Sequence, residues 1–150
     1  MKISVLSLAI VLFVFSAHLR AEESVFFTVS KQANYHDALN ELSEVIGFHD
    51  YKLIKIQPID KGLRSRGYRV LDYKVLFFSN EQQVNDILAA NPRASALLPM
   101  RIILYKNGNK VIASTPNMRL WKSTFGKNLQ PMLEQWDKNV RAIMTDFASH

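Results

Sequence analysis

Asn91-Pro92-Arg93-Ala94-Ser95-Ala96-Leu97-Leu98-Pro99-Met100-Arg101-Ile102-Ile103-Leu104-Tyr105-Lys106-Asn107-Gly108 is the stretch that fixes the centre of the fold. A polar helix ends at Asn91-Pro92, because proline cannot continue it. A short apolar crossing follows, and Pro99 stops it. Arg101 to Lys106 reads as a strand. Lys106-Asn107-Gly108-Asn109 reads as a hairpin turn, since Asn-Gly supplies the positive φ angles that tight hairpins need. Lys110 to Ser114 is the returning strand, broken at Thr115-Pro116-Asn117.

Towards the N-terminus, Val84, Ile87 and Leu88 form the stripe of a short helix, with Ser79 and Gln82 spaced as a capping box. Arg69 to Phe78 alternates as a strand. Leu71, Tyr73, Val75 and Phe77 share one face; Val70, Asp72, Lys74 and Leu76 share the other, which suits a sheet with one covered and one wetter face. Ile59 to Gly67 reads as a helical turn and loop, and Tyr51 to Gln57 as a strand that Pro58 ends. Tyr35, Ala38, Leu39, Leu42, Val45 and Ile46 recur at helical spacing. Asn34 is the expected N-cap and Gly47 the expected left-handed C-cap. Val25 to Val29 is the first strand.

Towards the C-terminus, Pro131 fits the first turn of a long helix. Its apolar stripe is Leu133, Trp136, Val140, Ile143 and Phe147, with Gln135, Asp137, Lys138, Asn139 and Arg141 on the other side. The expected fold is α+β: one antiparallel sheet of about five strands, with helices packed on one face.

The first residues read as a targeting segment. Lys2 supplies a positive start, Ile3 to Ala17 is almost wholly apolar, and Ala21 suits the position before a signal-peptidase cut. The expectation is a signal peptide over 1–21, a single domain over 22–150, and an exported, periplasmic or secreted product with no membrane span after cleavage. Cleavage leaves 129 of the 150 residues and, with Lys2 and Arg20 gone, lowers the net charge from +6 to +4. The remaining positive residues are scattered, as on an ordinary solvated face. There are no cysteines. Disulfides, thiol chemistry and thiolate metal sites are excluded, and the core alone must hold the fold.

Several segments together resemble the domain of unknown function 302 family. Leu76-Phe77-Phe78-Ser79-Asn80 resembles its strand-to-helix junction. Leu88-Ala89-Ala90-Asn91-Pro92-Arg93-Ala94 resembles its helix end, and Leu97-Leu98-Pro99-Met100-Arg101-Ile102 its apolar-Leu-Pro-apolar-Arg segment. The Tyr105-Lys106-Asn107-Gly108 turn follows at the matching distance. Glu81 departs from the pattern, standing where many members carry proline. The resemblance implies a strand-helix-four-strand-helix sandwich like that of the TATA-binding protein, and small dimers. It implies no activity, so no catalytic residue is carried over.

The chemistry-bearing residues form no recognisable set. His36, His49 and His150 lack the spacing of metal ligands. Ser95, Ser114 and Ser123 have no nucleophile elbow around them. Asp60, Asp72 and Asp86 read as isolated carboxylates, and Glu41 and Glu44 as a solvated face. The five glycines make no phosphate loop. Lys61 to Arg69 with Tyr68 is the nearest approach to a nucleic-acid stripe, and it is too sparse. No catalytic residue, cofactor or metal is expected. The expected function is non-catalytic binding of a small apolar or anionic ligand or of a partner protein. The pocket candidates are Tyr73, Arg101, Tyr105, Trp136 and Phe147. The aromatic four, together with Phe26, Phe77, Trp121, Phe125 and Met144, are placed beneath the long helix, and Arg101 at a pocket mouth or dimer seam. The alternative is a homodimeric module that pairs through a sheet edge or the helix stripe, and the third is an enzyme of unrecognised type.

Overall fold

The computed structural model describes residues 24–150. The expected signal segment and its cut after Ala21 lie outside the described residues.

β1 (Phe26–Gln32) leads to α1 (Tyr35–Phe48), β2 (Lys52–Gln57), the short α2 (Ile59–Arg64), β3 (Tyr73–Ser79) and α3 (Glu81–Ala90). Then come β4 (Met100–Asn107), β5 (Lys110–Pro116), the single turn α4 (Lys122–Phe125) and α5 (Gln130–Ser149). Turns of 3-10 helix at Pro92–Leu97 and Met118–Trp121 precede β4 and α4. The five strands form one antiparallel sheet in the order β1-β5-β4-β3-β2. The fold is α+β, as expected.

Cross-strand partners share a face, so the register sorts every strand residue. Met100, Ile102 and Leu104 of β4 lie level with Phe78, Leu76 and Lys74 of β3. Val111 and Ala113 of β5 lie on that same face with Phe27 and Val29 of β1. α1 and α5 cover it. Tyr35 of α1 donates its hydroxyl to the Leu104 carbonyl oxygen at 3.1 Å. Lys31 of β1 reaches the Phe147 carbonyl of α5 at 3.1 Å and holds Glu41 of α1. The α5 stripe, Leu133, Trp136, Val140, Ile143 and Phe147, is wholly buried in this core, with Met144 added to it. The helix stripe is thus used inside the molecule.

Several boundaries differ from the sequence reading. Gly47 lies inside α1; the left-handed residue is Asp50, at φ 62°, just beyond the C-cap His49. Asn80, not Ser79, caps α3 by accepting from the Gln83 amide. β3 begins at Tyr73, because residues 67–72 pack as a loop in which Arg64 donates to the Val70 carbonyl. The hairpin loop is Gly108-Asn109, and only Gly108 has a positive φ there, at 62°. That is glycine at the first loop position, the pattern of a type II′ turn. β5 runs on to Pro116, and Asn117 then caps the next turn by accepting from the Arg119 amide.

Candidate functional site

The other face of the sheet carries no helix. Its central residues are Tyr73, Val75 and Phe77 of β3 and Arg101, Ile103 and Tyr105 of β4. Ile112 and Ser114 of β5 and Thr28 and Ser30 of β1 continue it to one side, and Lys52, Lys55 and Gln57 of β2 to the other. Antiparallel sheets with one solvated face ordinarily place polar residues there. Here the middle is aliphatic and aromatic. Val75 is only 7% exposed although no helix covers it.

Two depressions mark this face. A groove of about 370 Å³ is lined by Val70, Leu71, Tyr73, Ile103 and Tyr105. Tyr73 and Tyr105 are direct cross-strand partners and form its floor with Ile103. Leu71, 60% exposed, comes from the loop before β3. A smaller, more enclosed niche of about 130 Å³ lies at the opposite end of β4, lined by Ala96, Leu97, Arg101, Pro116, Met118 and Trp121. It sits where the two 3-10 turns meet the ends of β4 and β5.

The charge on this face has one sign. Lys52, Lys55, Arg101 and Lys110 lie on it, and none of the described strand residues that face this way is acidic. The acids are used elsewhere. Asp72 pairs with Arg64 at 3.0 Å, and this hydrogen bond holds its carboxyl below the usual carboxylate range. Asp60, which read as isolated, is buried beside the same arginine, with Arg64 at 3.2 Å and Lys74 at 3.9 Å. Asp137, assigned by spacing to the polar side of α5, is buried. It accepts from Arg119 and Arg141 at 2.8 Å each, while the Arg141 guanidinium lies 4.3 Å from the Phe27 ring centre. Packing of α5 against β1 explains that placement, and the helical pattern alone could not reveal it.

The five candidate residues therefore do not converge. Tyr73 and Tyr105 share the groove, and Arg101 lines the niche on the same face. Trp136 and Phe147 belong to the core on the opposite face, 2% and 0% exposed. The cavity expected beneath the long helix is filled by these side chains. The sequence reading put the tyrosines on the wrong side of the sheet because the outward residues of β3 form its more apolar set, while the covered set includes Lys74, which Asp60 and the Tyr35 ring accommodate. Trp121, expected beneath the long helix, lines the niche instead, and Leu71 was missed as a site residue, its exposure alone revealing it.

Elsewhere, Glu41, Glu44, Val45, Phe48, Asp146 and His150 line a second groove between α1 and α5. His49 lies 3.2 Å from Asp146, and His150 interacts with the same residue. Among the described residues no group of three or more His, Asp or Glu is arranged to hold a metal. None of the described helices is long and apolar enough to cross a membrane.

No curated protein matches this chain. Its fold is similar to the crystal structure of the uncharacterized conserved protein DUF302 from Bacillus stearothermophilus. The TM-score is 0.76 at 16% identity, covering 83% of this chain and 98% of that one. Residues 27–147 match the sequence profile described as domain of unknown function DUF302, a span that takes in the whole sheet apart from Phe26 and all but the end of α5. The chain belongs to the DUF302 family.

Proposed function

We propose that this protein is a non-catalytic binding protein whose uncovered sheet face receives a small amphipathic anion. The observation that carries the reading is the pairing of an apolar centre with purely cationic strand charge on one uncovered face. An apolar body is drawn to the groove by the hydrophobic effect, and an anionic group is favoured by the surrounding field. A groove of some 370 Å³ is in the range of small-molecule sites. Nothing in its lining is a nucleophile with a neighbouring base, so no catalytic role is assigned. Residues 1–21 support export with cleavage near Ala21, and the order of elements supports a TATA-binding-protein-like arrangement.

A homodimer that hides this face is the second reading, and the exposed apolar side chains favour it. The like charges of Lys52, Lys55, Arg101 and Lys110 oppose direct face-to-face contact. Titration with anilinonaphthalene sulfonate, itself an amphipathic anion, separates the two. The binding reading predicts a saturable rise in dye fluorescence at one site per chain. Tyr105→Asp should weaken it at least about tenfold, since it puts an anion in the groove, with the circular dichroism spectrum unchanged. Absent dye binding, together with a dimer in light scattering that Tyr105→Asp dissociates, would replace the binding reading with the dimer.

A further inference from the structure

Arg101, Ile103 and Tyr105 leave β4 on the same side, two residues apart. One line along the strand therefore passes from a cation, over an aliphatic side chain, to an aromatic pair. We propose that this line is the binding track of a free single-chain carboxylate, with its head group at Arg101 and its tail laid along β4 into the Tyr73–Tyr105 groove. The proposal rests on the binding reading above and specifies its ligand class.

Three observations carry it. Arg101 is exposed and, among the described residues, has no ion-pair partner, unlike Arg64 and Arg141, which are engaged by carboxylates. Its niche of about 130 Å³ is too small for a whole ligand, and Arg101 is the one charged residue in an otherwise apolar lining. Arginine presents a planar fork of donors that matches a carboxylate in two parallel hydrogen bonds. From Arg101 to Tyr105 the strand rises about 13 Å, the length of a chain of roughly ten carbons.

The track also has ends. Val70 and Leu71 of the loop before β3 line it at one end, and Leu97 and Trp121 of the 3-10 turns line the other. Ends of this kind suit a single monomeric chain better than a lipid surface. No acidic strand residue on this face opposes the head group.

Calorimetric titration with straight-chain carboxylates of roughly six to fourteen carbons, held below their micelle-forming concentrations, tests the proposal. Affinity should rise about two- to fourfold per added methylene up to a length near ten carbons, then level off. Arg101→Gln, an exposed change that leaves the core intact, should weaken decanoate binding about tenfold and bring it close to that of uncharged decanol. Affinity that climbs without a plateau, or an equal response of both proteins to decanoate, would overturn the track. Capture on phosphatidylglycerol vesicles without saturable decanoate binding would also overturn it, by assigning the face to membrane lipid. If no chain of any length binds and the fluorescent dye fails too, the binding reading itself falls. If the dye binds while the carboxylates show neither length limit nor dependence on Arg101, only the track falls.

Discussion

Tyr35 joins three parts of the molecule through one side chain. It begins α1, its hydroxyl donates to the Leu104 carbonyl of β4, and the Lys74 ammonium of β3 lies 4.7 Å from its ring centre. Burial is the main cause of a raised Tyr35 pKa, with the nearby Asp60 and Asp72 charges adding to it. Tyr51 is raised as well, by burial, against hydrogen bonds from Asn139 and to Gln83. A raised folded-state pKa gives stability that is complete below the unfolded tyrosine value, near 10. It is lost as pH climbs from there towards the folded value, because the unfolded chain ionises first. The urea midpoint should therefore fall above pH about 10. Tyr35→Phe should cost about 1 kcal/mol at neutral pH, by removing the hydrogen bond to the Leu104 carbonyl, and should flatten the alkaline decline. An alkaline slope as steep as in the unaltered protein would remove this residue from the explanation.

At the scale of elements, α5 is the part whose character the sequence shows best. Its apolar residues alternate in steps of three and four, Pro131 stands in its first turn, and every member of the stripe is buried. Trp136→Ala should destabilise the fold by about 3–5 kcal/mol, as for large aromatic deletions in cores, read from chemical denaturation. A loss below about 1 kcal/mol would mean that α5 does not form the core described. β3 and β4 were legible as strands for the same kind of reason, yet their orientation was not. Leu76 and Phe78 face the helices while Tyr73 and Phe77 face away, and both pairs are equally apolar. Periodicity reports that alternate residues differ in environment; it does not report which environment has the cover. Helix ends were less legible still. Gly47 was the natural candidate for the left-handed position, but α1 continues through it and Asp50 takes that conformation, with its backbone amide bonded to the Gly47 carbonyl.

The molecule as a whole is a sheet covered on one side only. α1 and α5 fill the covered side with a continuous core, and three buried or half-buried acids, Glu41, Asp60 and Asp137, are ion-paired around it. These acids were legible only as types. The arginine partners Arg64 and Arg141 stand one helical turn away, but the burial of Asp60 and Asp137 depends on tertiary packing. Arg101 could be named in advance as a cation near a turn; its companion Trp121 comes from a segment that the fold alone brings to it. The uncovered side keeps an apolar centre and positive charge, and the functional account rests on that asymmetry. Backbone amide chemical shifts followed by NMR during titration with decanoate test it most directly. The account predicts saturating shifts confined to the outward positions of β3 and β4 and the flanking turns, from Arg101 and Trp121 to Tyr73 and Tyr105. Shifts centred instead on Glu41, Glu44 and Phe48 between α1 and α5, or none at saturating ligand, would contradict it.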